Sequence, residues 1–220
     1  NFMARLERED SLPRIVITPI TDGIEVDRDI LDTANEHAIA FDEEAYALGM
    51  ASGLEFDTTN LRITYSSMTT PAETYDYNMA TRERTLRKRQ TVPSGHNPED
   101  YVTRRLFAPT ADGETVPVTL LYKKSTPLDG SAPVLLYGYG AYGISIPASF
   151  ASSRLSLVNR GFIYAIAHIR GGKDKGYHWY TDGKLEKKVN TFTDFIAVGE
   201  FLASQNYTRR GRIVANGGSA

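Results

Sequence analysis

The sequence RIVANGGSA, residues 212–220, gives the strongest indication of the fold. Arg212 to Asn216 predicts a short β-strand. Two glycines and Ser219 follow it directly, and small residues let the backbone fold into a sharp strand-to-helix turn that exposes a hydroxyl. Gly217 stands two residues before the serine, as the pattern G-x-S-x-G requires, and the closing glycine would come after Ala220. Taken alone, G-G-S-A is also typical of an ordinary loop after a strand. The remaining sequence has to distinguish a turn that presents a nucleophilic serine from such a loop.

Residues 98–220 predict alternating strands and helices. Val134 to Tyr137 and Phe162 to His168 are continuous apolar runs, which are typical of strands covered on both faces. The segment between them, Phe150 to Arg160, predicts a helix that ends at Gly161, a residue suited to the left-handed conformation just past a helix end.

A second helix is expected before the strand at Arg212. Thr191 is predicted to cap this helix, with Asp194 three residues later. Its apolar face is expected to contain Phe192, Phe195, Ile196 and Leu202. The order strand, helix, strand, helix, strand implies right-handed crossovers and therefore a parallel α/β sheet.

Residues 1–97 predict a different fold class. Leu61, Ile63 and Tyr65 alternate with polar residues, which is typical of a half-buried antiparallel sheet. Turn sequences such as Pro93-Ser94-Gly95 separate the short apolar runs, and no helix of useful length is expected before residue 100. We therefore expect an all-β unit, such as blades of a propeller, up to residue 97.

The composition excludes several classes of protein. The 220 residues are 41% hydrophobic and 24% charged, as in ordinary soluble globular proteins. Lys and Arg number 25 against 27 for Asp and Glu, which argues against nucleic acid or an acidic membrane surface as a partner. The absence of Cys excludes disulfides and cysteine nucleophiles. It is also compatible with a reducing compartment, so we expect the cytoplasm, with the periplasm as the alternative. No apolar run approaches the ~20 residues of a membrane-spanning helix.

The segment Gly138-Tyr139-Gly140-Ala141-Tyr142-Gly143 matches the dinucleotide-binding pattern G-x-G-x-x-G. That pattern also needs a helix starting at the glycines and an acidic residue about 20 positions later, whereas Pro147 disfavours an early helix and residues 144–173 contain no Asp or Glu. A tight turn after a buried strand is therefore favoured. A third interpretation is a loop that lines a hydrolase active site and contributes an oxyanion donor. The basic run from Arg82 to Arg89 is expected to be a solvated strand or turn.

Several segments occur together in the order and spacing of the prolyl oligopeptidase family, which the sequence resembles from about residue 14 onward. They are residues 54–59, 67–72, 135–143, 168–172, 179–184, 190–195 and 217–220. Within that family the chain is most similar to the oligopeptidase B (protease II) branch. The resemblance implies an α/β hydrolase catalytic domain, preceded by antiparallel blades of a seven-bladed β-propeller that restricts access to short peptides.

The resemblance also implies roles for individual residues. Ser219 corresponds to the nucleophile that attacks the scissile carbonyl and forms an acyl-enzyme. The backbone N–H of Ala220 and the hydroxyl of Tyr139 correspond to the donors of the oxyanion hole, with Tyr142 as the alternative hydroxyl. Arg170, at the carboxyl end of a predicted strand, is expected to brace the active-site loops through ion pairs.

The acid and the base of the catalytic triad are expected to follow Ala220, because the order in this hydrolase fold is serine, acid, histidine. The four histidines precede the serine and match no catalytic position, so structural or surface roles are expected for His37, His96, His168 and His178. We therefore expect this chain to be one portion of a longer polypeptide, to need the remaining portion for folding and activity, and to be inactive alone.

The sequence thus predicts the C-terminal part of a β-propeller at 1–97 and the first part of an α/β-hydrolase peptidase domain at 98–220. The expected activity of the intact polypeptide is that of a serine oligopeptidase that cuts short peptides on the carboxyl side of Arg or Lys, without a metal or organic cofactor. Cleavage after proline, an acyl hydrolase or esterase of the same fold, and a non-catalytic binding module are the alternatives.

Overall fold

The computed structural model describes residues 1–20, 31–51 and 53–219. The first sheet is antiparallel and contains β1 (Phe2–Glu9), β2 (Leu12–Pro19) and β3 (His37–Ala38), in that order. The turn between β1 and β2 has two residues, Asp10 at φ +48° and Ser11 at φ +70°. Positive φ at both positions matches the twist of the flanking strands, so this turn forms a tight hairpin.

The second sheet is a four-stranded antiparallel meander. Its strands follow one another in chain order: β4 (Tyr46–Ala51), β5 (Asn60–Ser67), β6 (Glu73–Asn78) and β7 (Arg84–Arg89). The predicted alternation at Leu61, Ile63 and Tyr65 lies in β5, where Ile63 and Tyr65 are buried. Every residue of β7 is exposed, which confirms the expectation of a solvated basic strand.

The two antiparallel sheets share one apolar core. Ile15 and Ile17 of β2 are fully buried together with Ile63 of β5, and Tyr77 of β6 packs against them. Burying each of these aliphatic side chains contributes about 1.5–3 kcal/mol. This core explains why β-branched residues at alternate positions in residues 1–97 produce sheets and not helices.

The third sheet has five strands in the order β12-β10-β11-β9-β8. Their bounds are β8 (Tyr101–Pro109), β9 (Thr115–Lys123), β10 (Val134–Gly138), β11 (Ile163–Ala167) and β12 (Ile213–Asn216). The three strands β10, β11 and β12 are parallel, as predicted, whereas β8 and β9 are antiparallel to each other and β9 is antiparallel to β11. The predicted division at residue 97 lies between β7 and β8.

Helices cover both faces of this third sheet. The described helices are α1 (Ser152–Val158), α2 (Tyr177–Thr181) and α3 (Val189–Ser204). Ile163 and Ala165 of β11 belong to the core that α3 covers, and Tyr164 and Ile166 belong to the core that α1 covers. Of the helices in residues 1–20, 31–51 and 53–219, none combines the length and the apolar character of a membrane span.

The prediction for α3 was wrong in two respects. The helix begins at Val189, so Thr191 is its third residue and not its cap. Phe192 and Ile196 are each 58% exposed, and they do not share the buried face with Leu202. The buried residues are instead Thr191, Asp194, Val198, Gly199 and Leu202. The helix is turned in this way because Asp194 pairs with a buried arginine of the neighbouring loop.

Candidate active site

The carboxyl ends of the three parallel strands meet at one edge of the third sheet. β10 ends at Gly138, β11 at Ala167 and β12 at Asn216. In open α/β sheets, ligands bind in the crevice outside these ends. The loops that begin at Tyr139, His168 and Gly217 therefore form the candidate site.

A pocket of about 330 Å³ opens between these loops and the start of α3. Its lining residues are Gly138, Tyr139, Ile169, Thr191, Phe192, Phe195, Ala215, Asn216, Gly217, Gly218 and Ser219. Two of the predicted site residues, Ser219 and Tyr139, thus line the same pocket, although they are far apart in the sequence. Ala220, the third, lies outside the described residues.

Ser219 is exposed and has a strained backbone. Its φ is +69°, in the left-handed region that non-glycine residues rarely adopt. Such a conformation costs on the order of 1–3 kcal/mol and persists where the surrounding structure holds it. Gly217 allows the turn to approach β10, because a Cβ at this position would lie only 3.2 Å from the Gly138 carbonyl oxygen. This geometry is that of a sharp turn that presents a serine hydroxyl at the end of a strand.

Tyr139 follows β10 directly and is half-buried. The next residue, Gly140, has φ +65° and packs so closely that a Cβ would lie 2.8 Å from the Arg170 carbonyl oxygen. Only glycine fits there without strain. Tyr142 is 71% exposed and does not line the pocket. The loop therefore places Tyr139 at the pocket that Ser219 lines and leaves Tyr142 at the surface.

Arg170 is buried in the loop after β11 and pairs with two aspartates. Its Nε lies 2.9 Å from Asp194 Oδ2 and its Nη2 lies 2.5 Å from Asp194 Oδ1, while Nη1 lies 2.6 Å from Asp112 Oδ2. Its backbone N–H also donates to Asp194 Oδ2 at 2.9 Å. The hydrogen bonds from Arg170 and Thr110 lower the pKa of Asp112 to about 2. The ion pairs expected of Arg170 are present, and they join the loop after β11 to α3 and to the β8–β9 turn.

Thr191 ties together three segments around the pocket. Its hydroxyl donates to the carbonyl oxygen of Arg170 at 2.8 Å and lies 3.2 Å from that of Gly183. Sequence reasoning treated Thr191 and Asp194 as a helix cap and so missed both contacts. The sequence did contain a signal for these contacts. Thr191 and Asp194 are polar, yet they share a helix face with the apolar residues Val198 and Leu202, and buried polar side chains need hydrogen-bond partners.

Two of the histidines, His168 and His96, make hydrogen bonds within the fold. His168 is buried, with Nε2 2.9 Å from Thr119 Oγ1 and Nδ1 3.2 Å from Asp174 Oδ1. Its carbonyl oxygen accepts a hydrogen bond from Trp179 Nε1 at 3.0 Å. His96 Nε2 lies 2.6 Å from the Thr69 carbonyl oxygen. These contacts agree with the structural roles expected for His168 and His96.

The glycine-rich loop does not have the dinucleotide-binding arrangement. After Gly143 the chain stays non-helical until α1 begins at Ser152. The interpretation that requires a helix opening at the glycines is therefore not supported in this loop. The loop is a tight turn after a buried strand, and its first residue, Tyr139, lines the pocket.

Two family models match the sequence. The prolyl oligopeptidase family model matches residues 148–220, and the model of the prolyl oligopeptidase N-terminal beta-propeller domain matches residues 1–90. Dipeptidyl aminopeptidase BI of Pseudoxanthomonas mexicana is 46% identical over 93% of this chain and 28% of its own length. Protease 2 of Moraxella lacunata is 37% identical over 83% of this chain and 26% of its own length.

Solved structures of the same family resemble this chain as well. Oligopeptidase B from Trypanosoma brucei, in a closed form with covalently bound antipain, superposes with a TM-score of 0.86 at 38% identity, over 98% of this chain and 30% of that one. Oligopeptidase B from Leishmania major gives a TM-score of 0.86 at 32% identity, over 99% and 30%. The chain thus spans less than a third of the length of these relatives. With propeller strands followed by an α/β-hydrolase sheet, the chain belongs to the prolyl oligopeptidase family.

Proposed function

We propose that the intact polypeptide carrying this chain is a serine oligopeptidase that hydrolyses short peptides through an acyl-enzyme on Ser219. The observation that carries the proposal is the strained turn at Ser219, which follows β12 and shares a pocket with Tyr139. A serine held at positive φ at the end of a strand, in a pocket that a tyrosine also lines, suits nucleophilic attack on a carbonyl carbon.

The chemistry assigned to these residues is acyl transfer. The Ser219 hydroxyl adds to the scissile carbonyl carbon and gives its proton to a general base, which the family pattern locates after Ala220. The tetrahedral oxyanion accepts hydrogen bonds from the Tyr139 hydroxyl and the Ala220 N–H. Breakage of the C–N bond then releases the amine with that proton, and water hydrolyses the remaining ester.

We propose peptides with Arg or Lys before the cleaved bond as substrates. The similarity to two solved oligopeptidase B structures supports this choice. A prolyl substrate is the second candidate, because the described residues that line the pocket are uncharged and relatives named prolyl endopeptidase are 32–35% identical. A basic preference would then depend on carboxylates from outside the described residues.

A substrate panel tests the proposal in the intact polypeptide. We expect hydrolysis of arginyl and lysyl peptides, and a loss of kcat on the order of 10⁶-fold in Ser219→Ala, as for nucleophile removal in other serine hydrolases. Ser153→Ala, an exposed serine in α1, is the matched control and should keep wild-type rates. Undiminished hydrolysis by Ser219→Ala would contradict the proposal. Turnover of prolyl peptides alone would favour the second candidate, and turnover of simple esters alone would favour an acyl hydrolase.

The 220-residue chain by itself is proposed to be inactive. None of the described histidines lines the pocket beside Ser219, so the hydroxyl has no base there to accept its proton. We expect no peptide hydrolysis above the uncatalysed rate when this chain is assayed alone, and measurable turnover would contradict that part of the proposal.

A further inference from the structure

Lys188 makes an unusual contact for a lysine at the start of a helix. It directly precedes α3, and its Nζ donates a hydrogen bond to the carbonyl oxygen of Gly140 at 2.7 Å. Its neighbour Lys187 instead forms an exposed ion pair with Asp182 at 2.6 Å. The two adjacent lysines thus have different environments, and only Lys188 reaches the glycine-rich loop.

The position of Lys188 is electrostatically costly. The N-terminal end of a helix carries a partial positive charge, so a cation there is disfavoured. Lys188 is also half-buried, and this burial lowers the pKa of its ammonium group below its ordinary value. Neither effect favours the folded protein. The compensating interactions of the ammonium group are its hydrogen bond to the Gly140 carbonyl and a longer cation–π contact, 5.9 Å from Nζ to the Phe192 ring centroid.

That carbonyl belongs to the residue after Tyr139. Gly140 is already restricted by its positive φ and by close packing against Arg170 and Thr191. A hydrogen bond from a charged donor is roughly twice as strong as one between neutral groups. The Thr191 hydroxyl lies 3.5 Å from the same oxygen and donates more closely to Arg170, so Lys188 is the stronger donor on Gly140.

We propose that Lys188 is a positioning residue, which holds the Gly140 carbonyl and thereby fixes the Tyr139 hydroxyl for the oxyanion of the acyl-transfer reaction. This inference rests on the proposed function of Ser219 and Tyr139. Without the ammonium group, the Gly140 carbonyl loses its strongest hydrogen-bond donor, and the phenol attached one residue earlier is held less firmly in its direction. Lys188 acts through Tyr139 and does not touch the substrate.

A double-mutant cycle in the intact polypeptide tests this coupling. Lys188→Met is expected to lower kcat about 10- to 100-fold with little change in KM, because small misplacements of an oriented group have effects of this size. In a Tyr139→Phe background, the same substitution should lower kcat less than about threefold, since the hydroxyl that it positions is already absent. Lys188→Arg, which keeps a charged donor, should recover part of the loss.

Lys187→Met is the matched control, because it removes an adjacent ammonium that does not reach the loop, and it should retain wild-type kcat. The melting temperature of each variant is measured first, and kinetics are compared below the lowest of them. Equal losses from Lys188→Met with and without the Tyr139 hydroxyl, equal losses from Lys187→Met, or unchanged kcat in Lys188→Met would each overturn the inference.

Failure of the inference and failure of the proposed function give different results. If Ser219→Ala retains hydrolysis, the proposed function is wrong whatever Lys188 does. If Ser219→Ala and Tyr139→Phe both lose activity but Lys188→Met does not, only the positioning role is wrong.

Discussion

Ser219 and Tyr139 show how far single residues could be assigned from the sequence. The motif around Ser219 predicted a serine at a tight turn, and the structure shows that turn at φ +69°. The choice between Tyr139 and Tyr142 depended on the resemblance alone. The loop conformation that separates them arises from packing of Gly140 against residues about 30 and 50 positions later, which no local pattern records.

Conservative substitution of the two tyrosines separates their roles. Tyr139→Phe removes only a hydroxyl and should lower kcat about 10²- to 10³-fold in the intact polypeptide, the cost of losing one oxyanion donor. Tyr142→Phe, at a residue that is 71% exposed, should change kcat less than about threefold. Steady-state kinetics on one peptide substrate checks both. A larger loss in Tyr142→Phe than in Tyr139→Phe would reverse the assignment.

Among the secondary-structure elements, α3 shows why a correct motif can be misinterpreted. Thr191 and Asp194 have the spacing of a helix cap, but both side chains are used by the loop after β11. Lys188, the residue directly before the helix, makes no side-chain cap hydrogen bond. Strands β10 and β11 were predicted well because strands that are covered on both faces have continuous apolar sequences. The pairing of Asp194 with Arg170 was not predictable, since it joins residues of two separate elements.

The buried ion pair between α3 and the β11 loop has a testable stability. Arg170→Met leaves the fully buried Asp194 carboxylate without its partner, and we expect the free energy of unfolding to fall by about 3–5 kcal/mol. Asp112→Asn is the control, because the Asp112 side chain is 48% exposed and its pair should contribute less than about 1 kcal/mol. Urea unfolding of the intact polypeptide, followed by far-UV circular dichroism, measures both. Similar effects of the two substitutions would contradict the burial argument.

At the scale of the whole molecule, composition and motif order predicted an all-β part followed by an α/β part. They did not predict how the two parts meet. The β1–β2 hairpin contacts the α/β part through its turn: Ser11 N–H donates to the Asp174 carbonyl oxygen at 2.7 Å, and Arg105 Nη2 donates to the Asp10 carbonyl oxygen at 2.6 Å. In both contacts the acceptor is a backbone carbonyl, and the two residues are about 95–160 positions apart. Every residue has such a carbonyl, so the sequence does not indicate which one accepts the hydrogen bond.

The junction can be loosened at one of these contacts. Arg105→Ala removes the side chain that holds the hairpin turn, and we expect the amide of Ser11 to exchange its hydrogen about 10-fold faster or more. Arg104→Ala is the matched control, because its ion pair with Glu44 is largely exposed and contributes little. Hydrogen exchange read by NMR reports the Ser11 amide directly. Unchanged protection in Arg105→Ala, or equal acceleration in Arg104→Ala, would show that this hydrogen bond does not secure the junction.

The assignment of Ser219 as nucleophile, on which the proposed function depends, can be examined in one labelling reaction. The intact polypeptide is treated with a fluorophosphonate, digested and mapped by mass spectrometry, with Ser219→Ala treated in parallel. We predict a single phosphonylated peptide that carries the adduct on Ser219 and is absent from the variant. An unmodified Ser219 in a preparation that hydrolyses peptides, or an adduct on another serine, would contradict it.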